Sequence, residues 1–231
     1  VSWVPTILSK EAKLGLSIGG LAFKPTPSTL NEQALVRVIF GDEVVPCETQ
    51  PHHDTRVSGN VSVESKDDAV FIYNSDIAEK ILFAGEAVQP AIFSALGAPE
   101  VIVVFGHYDS SDAFGYAIVK NGITVRSRVY TIEEGTVDEG TPYAFEQSWL
   151  QAETFVEEDD GDELAYRNLE TGAVSSEPYV TAFLLAEALK AFFGCIPWND
   201  WNYQTKLSNY GRPPPAAVPQ PAPTKAWWKL W

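Results

Sequence analysis

Short β-branched runs, helix start and stop signals between them, and one Asn-Gly hairpin predict an α+β (or α/β) chain. These signals fall within residues 1–212, which read as a single domain with a mixed, partly antiparallel sheet flanked by helices. The composition changes abruptly at position 213, where a Pro/Ala-rich linker begins and runs to a tryptophan-rich end at 231.

The elements follow in order. Residues 12–23 (AKLGLSIGGLAF) are apolar with three glycines and predict a buried strand, with a bulge or close backbone approach at Gly19-Gly20. Thr29 and Glu32 have the spacing of a capping box ahead of Ala34, Leu35, Val38 and Ile39, and Gly41 is a stop. Residues 46–60 read as a polar loop, and 61–64 and 69–73 as two short strands. Ser75 is placed to cap a short helix through Phe83, and a second helix starts near Pro90 and stops at Gly97.

The clearest β signal is VIVVF at 101–105, an unbroken run expected of a strand covered on both faces. Residues 113–120, Asn121-Gly122 and 123–130 then form a hairpin, because Asn-Gly accepts positive φ at both central positions of a type I′ turn. Strict alternation puts Thr124, Arg126, Arg128 and Tyr130 on one face and Ile123, Val125 and Val129 on the other, so one face is partly polar. The acid-rich stretch 153–163 reads as a solvated loop. Ser176-Glu177-Pro178 opens a helix through Phe193, apolar on almost every side, that Gly194 and Pro197 end.

Composition bounds function. A chain of 231 residues with 45% hydrophobic and 12% aromatic residues can bury a core without staples. A formal charge of −15 opposes nucleic acid and anionic lipid and favours a basic partner, although solubility alone also accounts for it. Cys47 and Cys195 are too few for a disulfide framework and lack metal-ligand spacing. The opening Val1-Ser2-Trp3-Val4-Pro5 has neither a basic region nor a long apolar run, and no window approaches 18 apolar residues. The expectation is a cytoplasmic protein with no signal peptide and no transmembrane segment.

The segments NEQALVRVIFGDEVVP, AVFIYNSDIAEKIL and VIVVFGHYDSSDAFGYAIVKNGITVRSRVY, continuing through Gly140-Thr141-Pro142 and Phe145-Glu146, resemble an uncharacterised bacterial family, a domain of unknown function. The resemblance covers about residues 12–194 and is most specific in the hairpin region. It implies the fold and a bacterial origin, and carries no catalytic residue across. The ending WWKLW is similar to short tryptophan-rich endings on assorted bacterial proteins.

Among groups that could do chemistry, Gly106-His107-Tyr108-Asp109-Ser110-Ser111-Asp112 stands first, because strand ends feeding polar loops are where open sheets place ligands. His107 could serve as a general base oriented by Asp109 or Asp112, and with His52 and His53 it could contribute to a divalent-metal site. The competing reading is a capped turn whose Asp and Ser side chains satisfy backbone N–H groups, and it outweighs both. Glu133, Glu134, Asp138, Glu139 and Glu146 form a carboxylate-rich strip that could hold a glycosidase-like acid pair, although unpaired surface acids are commoner. A nucleophile elbow, a phosphate loop and an EF-hand register are all missing, so no cofactor is expected. Trp198, Trp201, Tyr203 and Tyr210 form an aromatic cluster read as a lid over the long helix rather than an exposed patch.

The linker reads as extended polyproline II, long enough at about 3.1 Å per residue to hold Trp227, Trp228 and Trp231 about 35 Å from the domain. Burying one tryptophan, about 150–250 Å², is worth roughly 4–6 kcal/mol gross. Three exceed the cost of ordering a five-residue end, about 1–2 kcal/mol per residue. The tail therefore reads as a docking peptide, in cis, on a second copy or on another protein. Together with the acids Glu157, Glu158, Asp159 and Asp160, it makes the leading expectation a non-catalytic protein-interaction protein, possible roles including an immunity or antitoxin type. The alternatives are a small metal-assisted enzyme using His107, Asp109 and Asp112, and an assembly subunit linked through its tail.

Overall fold

In the computed structural model, which describes residues 16–25, 31–47, 53–156, 164–200 and 205–213, the alternation of each strand divides its side chains between two cores. The strands are β1 (Ser17–Phe23), β2 (Val45–Pro46), β3 (Val61–Lys66), β4 (Ala69–Tyr73), β5 (Val101–Tyr108), β6 (Ala113–Lys120), β7 (Ile123–Thr131) and β8 (Gly135–Gly140). They are followed by β9 (Glu153–Val156), β10 (Leu164–Arg167), β11 (Val174–Ser176) and β12 (Ser208–Gly211). Nine of them build one sheet in the order β2-β12-β3-β4-β1-β5-β6-β7-β8, and β11-β10-β9 form a small second sheet.

The helices are α1 (Glu32–Phe40), α2 (Ser75–Ala78), which runs into a π-helical turn Glu79–Phe83, α3 (Pro90–Ala95), α4 (Gln147–Leu150) and α5 (Glu177–Phe193). Leu21, Phe23, Ile72, Ile102 and Val104 face a core closed by α1, α2, the π turn and the chain around α3. Ala22, Phe71, Tyr73, Val103, Phe105, Tyr116 and Ile118 face the opposite core, closed by Val180, Leu184, Leu185, Leu189 and Phe193 of α5. The fold class is α+β.

The sheet is not mixed: every described pairing is antiparallel. VIVVF is buried on both faces as its composition demands, with Ile102, Val103, Val104 and Phe105 fully buried. Helices on both sides of an antiparallel sheet give a strand the same composition as a parallel one, because burial rather than strand direction selects the residues.

Several local readings hold. Asn121 and Gly122 adopt φ of 52° and 76° in the β6–β7 turn. Gly20 meets the backbone of Ile72 so closely that a Cβ would collide with its carbonyl oxygen, which confirms the close approach. Helix α5 is flanked by Ser176 and by Gly194, whose φ of 78° is the left-handed stop glycine adopts at little cost.

Other readings shift. The cap of α1 is Asn31, whose Oδ1 accepts the Ala34 amide at 3.0 Å, while Thr29 lies outside the described residues. Asn74, not Ser75, caps α2, accepting from the Ile77 amide at 2.9 Å. Residues 153–156 are strand β9 rather than loop, and β8, GTVDEG, is a strand that its polarity concealed. A register shift at Ile118/Val119 pairs Thr124 with Val119 and Arg126 with Ile118, so Thr124 falls on the opposite face from the arginines. The aromatic cluster also splits: Trp198 packs on Phe105 at 5.9 Å in the α5 core, whereas Tyr210 of β12 is buried in the other core. Trp201 and Tyr203 lie outside the described residues.

Candidate functional site

His107 sits near the end of β5 with its ring edge-on to Phe114 at 4.9 Å and tilted against Trp198 at 5.8 Å. Its Nε2 donates to Asp109 Oδ1 at 2.8 Å. The second oxygen of Asp109 accepts the Leu16 amide at 2.7 Å, and the Asp109 amide donates to the Leu16 carbonyl at 2.9 Å. Asp109 therefore closes β1 onto β5 and orients His107 at the same time. Burial pushes the imidazole pKa down, against the opposing charge and hydrogen bond of Asp109, so the ring is neutral near pH 7. With Nε2 donating, Nδ1 carries the free lone pair, and that atom is buried and has no partner.

Asp112 does not join the pair. It holds the left-handed position, φ 44°, that ends the short 3-10 turn Asp109–Ser111. Its charge and that of Asp109 add to burial in raising the pKa of Tyr179, a half-exposed residue of α5. The turn expected at HYDSSD is present, but its central carboxylate serves the distant Leu16 rather than a local amide.

His53 is remote from this cluster. Its Nε2 is 3.0 Å from the Tyr210 carbonyl oxygen on β12. Strands β3, β4 and β1 lie between β12 and β5, a separation of about 19 Å at the usual strand spacing. His52 lies outside the described residues. Among the described residues no three His, Cys, Asp or Glu side chains are grouped to hold a metal ion. The shared site expected of His53 with His107 is thus not assembled, because His53 lies in a loop against β12 whereas His107 is on β5, four strands away.

The sheet face under α5 holds a second cluster, built around the two arginines of β7. Arg126, with a fully buried side chain, donates from Nε to Glu146 Oε1 at 2.8 Å and from Nη1 to Asp138 and to the Glu139 carbonyl at 2.9 Å. Arg128 bonds Asp138, Glu177 and Thr181. Glu146, itself fully buried, also accepts from the Tyr116 hydroxyl and the Tyr143 amide. Thr136 donates to Glu177. The cluster ties β7 and β8 to the start of α5 and to the turn that carries Glu146.

Electrostatics follow from the packing. Burial would raise the Asp138 pKa, but hydrogen bonds to Arg126 and Arg128 and both positive charges outweigh it and hold the carboxyl below its usual range. Burial raises the Tyr116 pKa, and the hydrogen bond and charge of Glu146 add to it. Tyr166 is pushed up to about 12 by burial and by its bond to Glu177. Arg126 Nη2 is buried with no partner among the described residues, and the remaining donors of both arginines join β7 and β8 to α5 and to the Glu146 turn in the manner of a structural clamp.

The carboxylate strip divides between these two environments. Asp138 and Glu146 belong to the arginine cluster, while Glu133, Glu134 and Glu139 are exposed and make no ion pair with described residues. The sequence reading missed the arginine cluster, although Arg126 and Arg128, two apart on a strand beside an apolar helix, carry its signal. Glu157, Glu158, Asp159, Asp160, Trp227, Trp228 and Trp231 lie outside the described residues. No family model, curated protein or solved structure matches the chain.

Proposed function

We propose that this chain is a non-catalytic protein-interaction protein that receives a basic partner on an acidic surface. The observation that carries the reading is the division of acids at the β7–β8 end. Asp138 is taken up by the two arginines, although a third of its side chain remains in solvent, while Glu133, Glu134 and Glu139 are left exposed and unpaired among the described residues around a strand at the margin of the sheet. Elsewhere Lys24, Arg56, Arg167, Lys190 and Arg212 each pair with an acid, so these described cations add no net positive patch. The groups best suited to chemistry serve the fold instead: Asp109 holds Leu16, and the free nitrogen of His107 is buried.

In sequence, Glu157 to Asp160 add four further acids, and Trp227, Trp228 and Trp231 are apolar groups suited to docking on a partner. Masking of a basic toxin by an immunity or antitoxin protein is one role within this class, since charge complementarity speeds and directs such encounters. Cys47 and Cys195 are not joined in a disulfide, which suits a cytoplasmic setting. No helix among the described residues is long and apolar enough to cross a membrane.

The test is affinity capture from the native host at about 0.1 M and about 1 M salt, where the Debye length falls from ~10 Å to ~3 Å. The chain with and without residues 213–231 serves as bait. The expected result is a basic partner lost at high salt and weakened by tail removal. A partner retained unchanged at high salt, or one that is itself acidic, overturns the reading.

A further inference from the structure

The two margins of the nine-stranded sheet are built differently. At one, β2 has only two residues and contains Pro46, both devices that prevent a further strand from pairing. At the other, β8 has six residues, contains neither proline nor lysine, and among the described residues pairs on one side only, with β7. Its outer row of backbone N–H and C=O groups is a template for another strand.

This template is held still. On the α5 face Thr136 bonds Glu177 and Asp138 bonds both arginines, while the Glu139 carbonyl accepts from Arg126. On the other face Val137, paired with Val129, is 42% exposed, and Glu139 follows it two residues on. A rigid edge loses little freedom when a strand adds to it, so more of the hydrogen-bond energy appears as affinity.

We propose that β8 is a docking edge for an extended basic segment of a partner protein, added as a tenth strand. The inference rests on the acidic-surface reading above and gives it a location and a mode. Charge selects the occupant. A second copy of the chain would set its own Glu133, Glu134 and Glu139 beside the same residues, and like charges across a strand pair repel. A partner strand with an apolar residue opposite Val137 and a lysine opposite Glu139, two positions apart on one face, satisfies both the apolar spot and the acids.

The test uses the full chain and two soluble peptides, one repeating Thr-Lys-Thr-Val and one repeating Thr-Glu-Thr-Val, followed by fluorescence anisotropy and by amide hydrogen exchange. The lysine peptide is expected to bind in a salt-sensitive manner and the glutamate peptide not to bind. Alternate amides of residues 135–140, those directed away from β7, gain protection in the complex. Val137→Lys, a substitution at an exposed position that places a gatekeeping charge on the edge, weakens binding by at least about tenfold.

Salt-sensitive binding without amide protection on β8, or undiminished by Val137→Lys, overturns the docking edge while leaving an acidic surface elsewhere. No binding of the lysine peptide under low salt overturns both readings. Displacement of the lysine peptide from β8 by a peptide of the chain's own residues 224–231 overturns the choice of a partner protein and makes the occupant internal.

Discussion

Glu146→Ala removes the acceptor shared by Arg126 Nε, the Tyr116 hydroxyl and the Tyr143 amide. Loss of one member of a buried ion pair costs about 3–5 kcal/mol, because the remaining charge is left without compensation. Asp138 still holds Arg126 Nη1, which places this loss near the lower figure, about 3 kcal/mol. The stranded Tyr116 hydroxyl, in a fully buried residue, adds about 1 kcal/mol. The sum is about 4 kcal/mol. In a domain of this size each kcal/mol moves Tm by about 2–4 °C, so thermal unfolding followed by circular dichroism shifts down by about 8–16 °C. Urea unfolding reports the same loss as a lower midpoint at unchanged slope.

The paired replacement Arg126→Met with Glu146→Leu removes both charges and restores most of that stability, since apolar groups of similar size substitute for a buried ion pair at little cost. A single variant within about 1 kcal/mol of the parent refutes the clamp, because it shows that Arg126 does not depend on Glu146. A double variant as damaged as the single one refutes the electrostatic account and leaves shape alone as the cause.

Two further outcomes are expected. His107 has a folded pKa below its ordinary value of 6.5, so the unfolded chain binds the proton first as pH falls. Its contribution is complete above about pH 6.5 and is lost downward through the lowered folded value; His107→Asn flattens the stability-against-pH curve in that window, and an unchanged slope contradicts the burial described for the ring. Gly20→Ala drives a Cβ into the Ile72 carbonyl and costs about 3 kcal/mol, near the upper end for overpacking; denaturant unfolding within about 1 kcal/mol of the parent shows that β1 and β4 can separate.

Local features of the fold were legible where the signal is carried by a few neighbouring residues. Asn121-Gly122 requires positive φ and marks its turn unaided, Gly194 marks the stop of α5, and VIVVF announces a strand with no solvent face. Segments whose structure depends on distant partners were not. GTVDEG has no strand composition; it is β8 because β7 supplies a ladder and two arginines that neutralise Asp138. Ser208–Gly211 is a strand only because the gap between β2 and β3 receives it.

The candidate site divides in the same way. The sequence alone determined that the chain is acidic, that His107 has Asp109 and Asp112 close by in the chain, and that the tail is tryptophan-rich; the structure chose Asp109. Tertiary structure decided that Asp109 is occupied by Leu16, that His53 stands on another part of the sheet, and that Arg126 and Arg128 face inward. The reason is one of range. Backbone preference and charge count are properties of a residue and its immediate neighbours, whereas the burial of a charge depends on which remote strand or helix covers it, and a single bulge at Ile118/Val119 is enough to change which side chains share that cover.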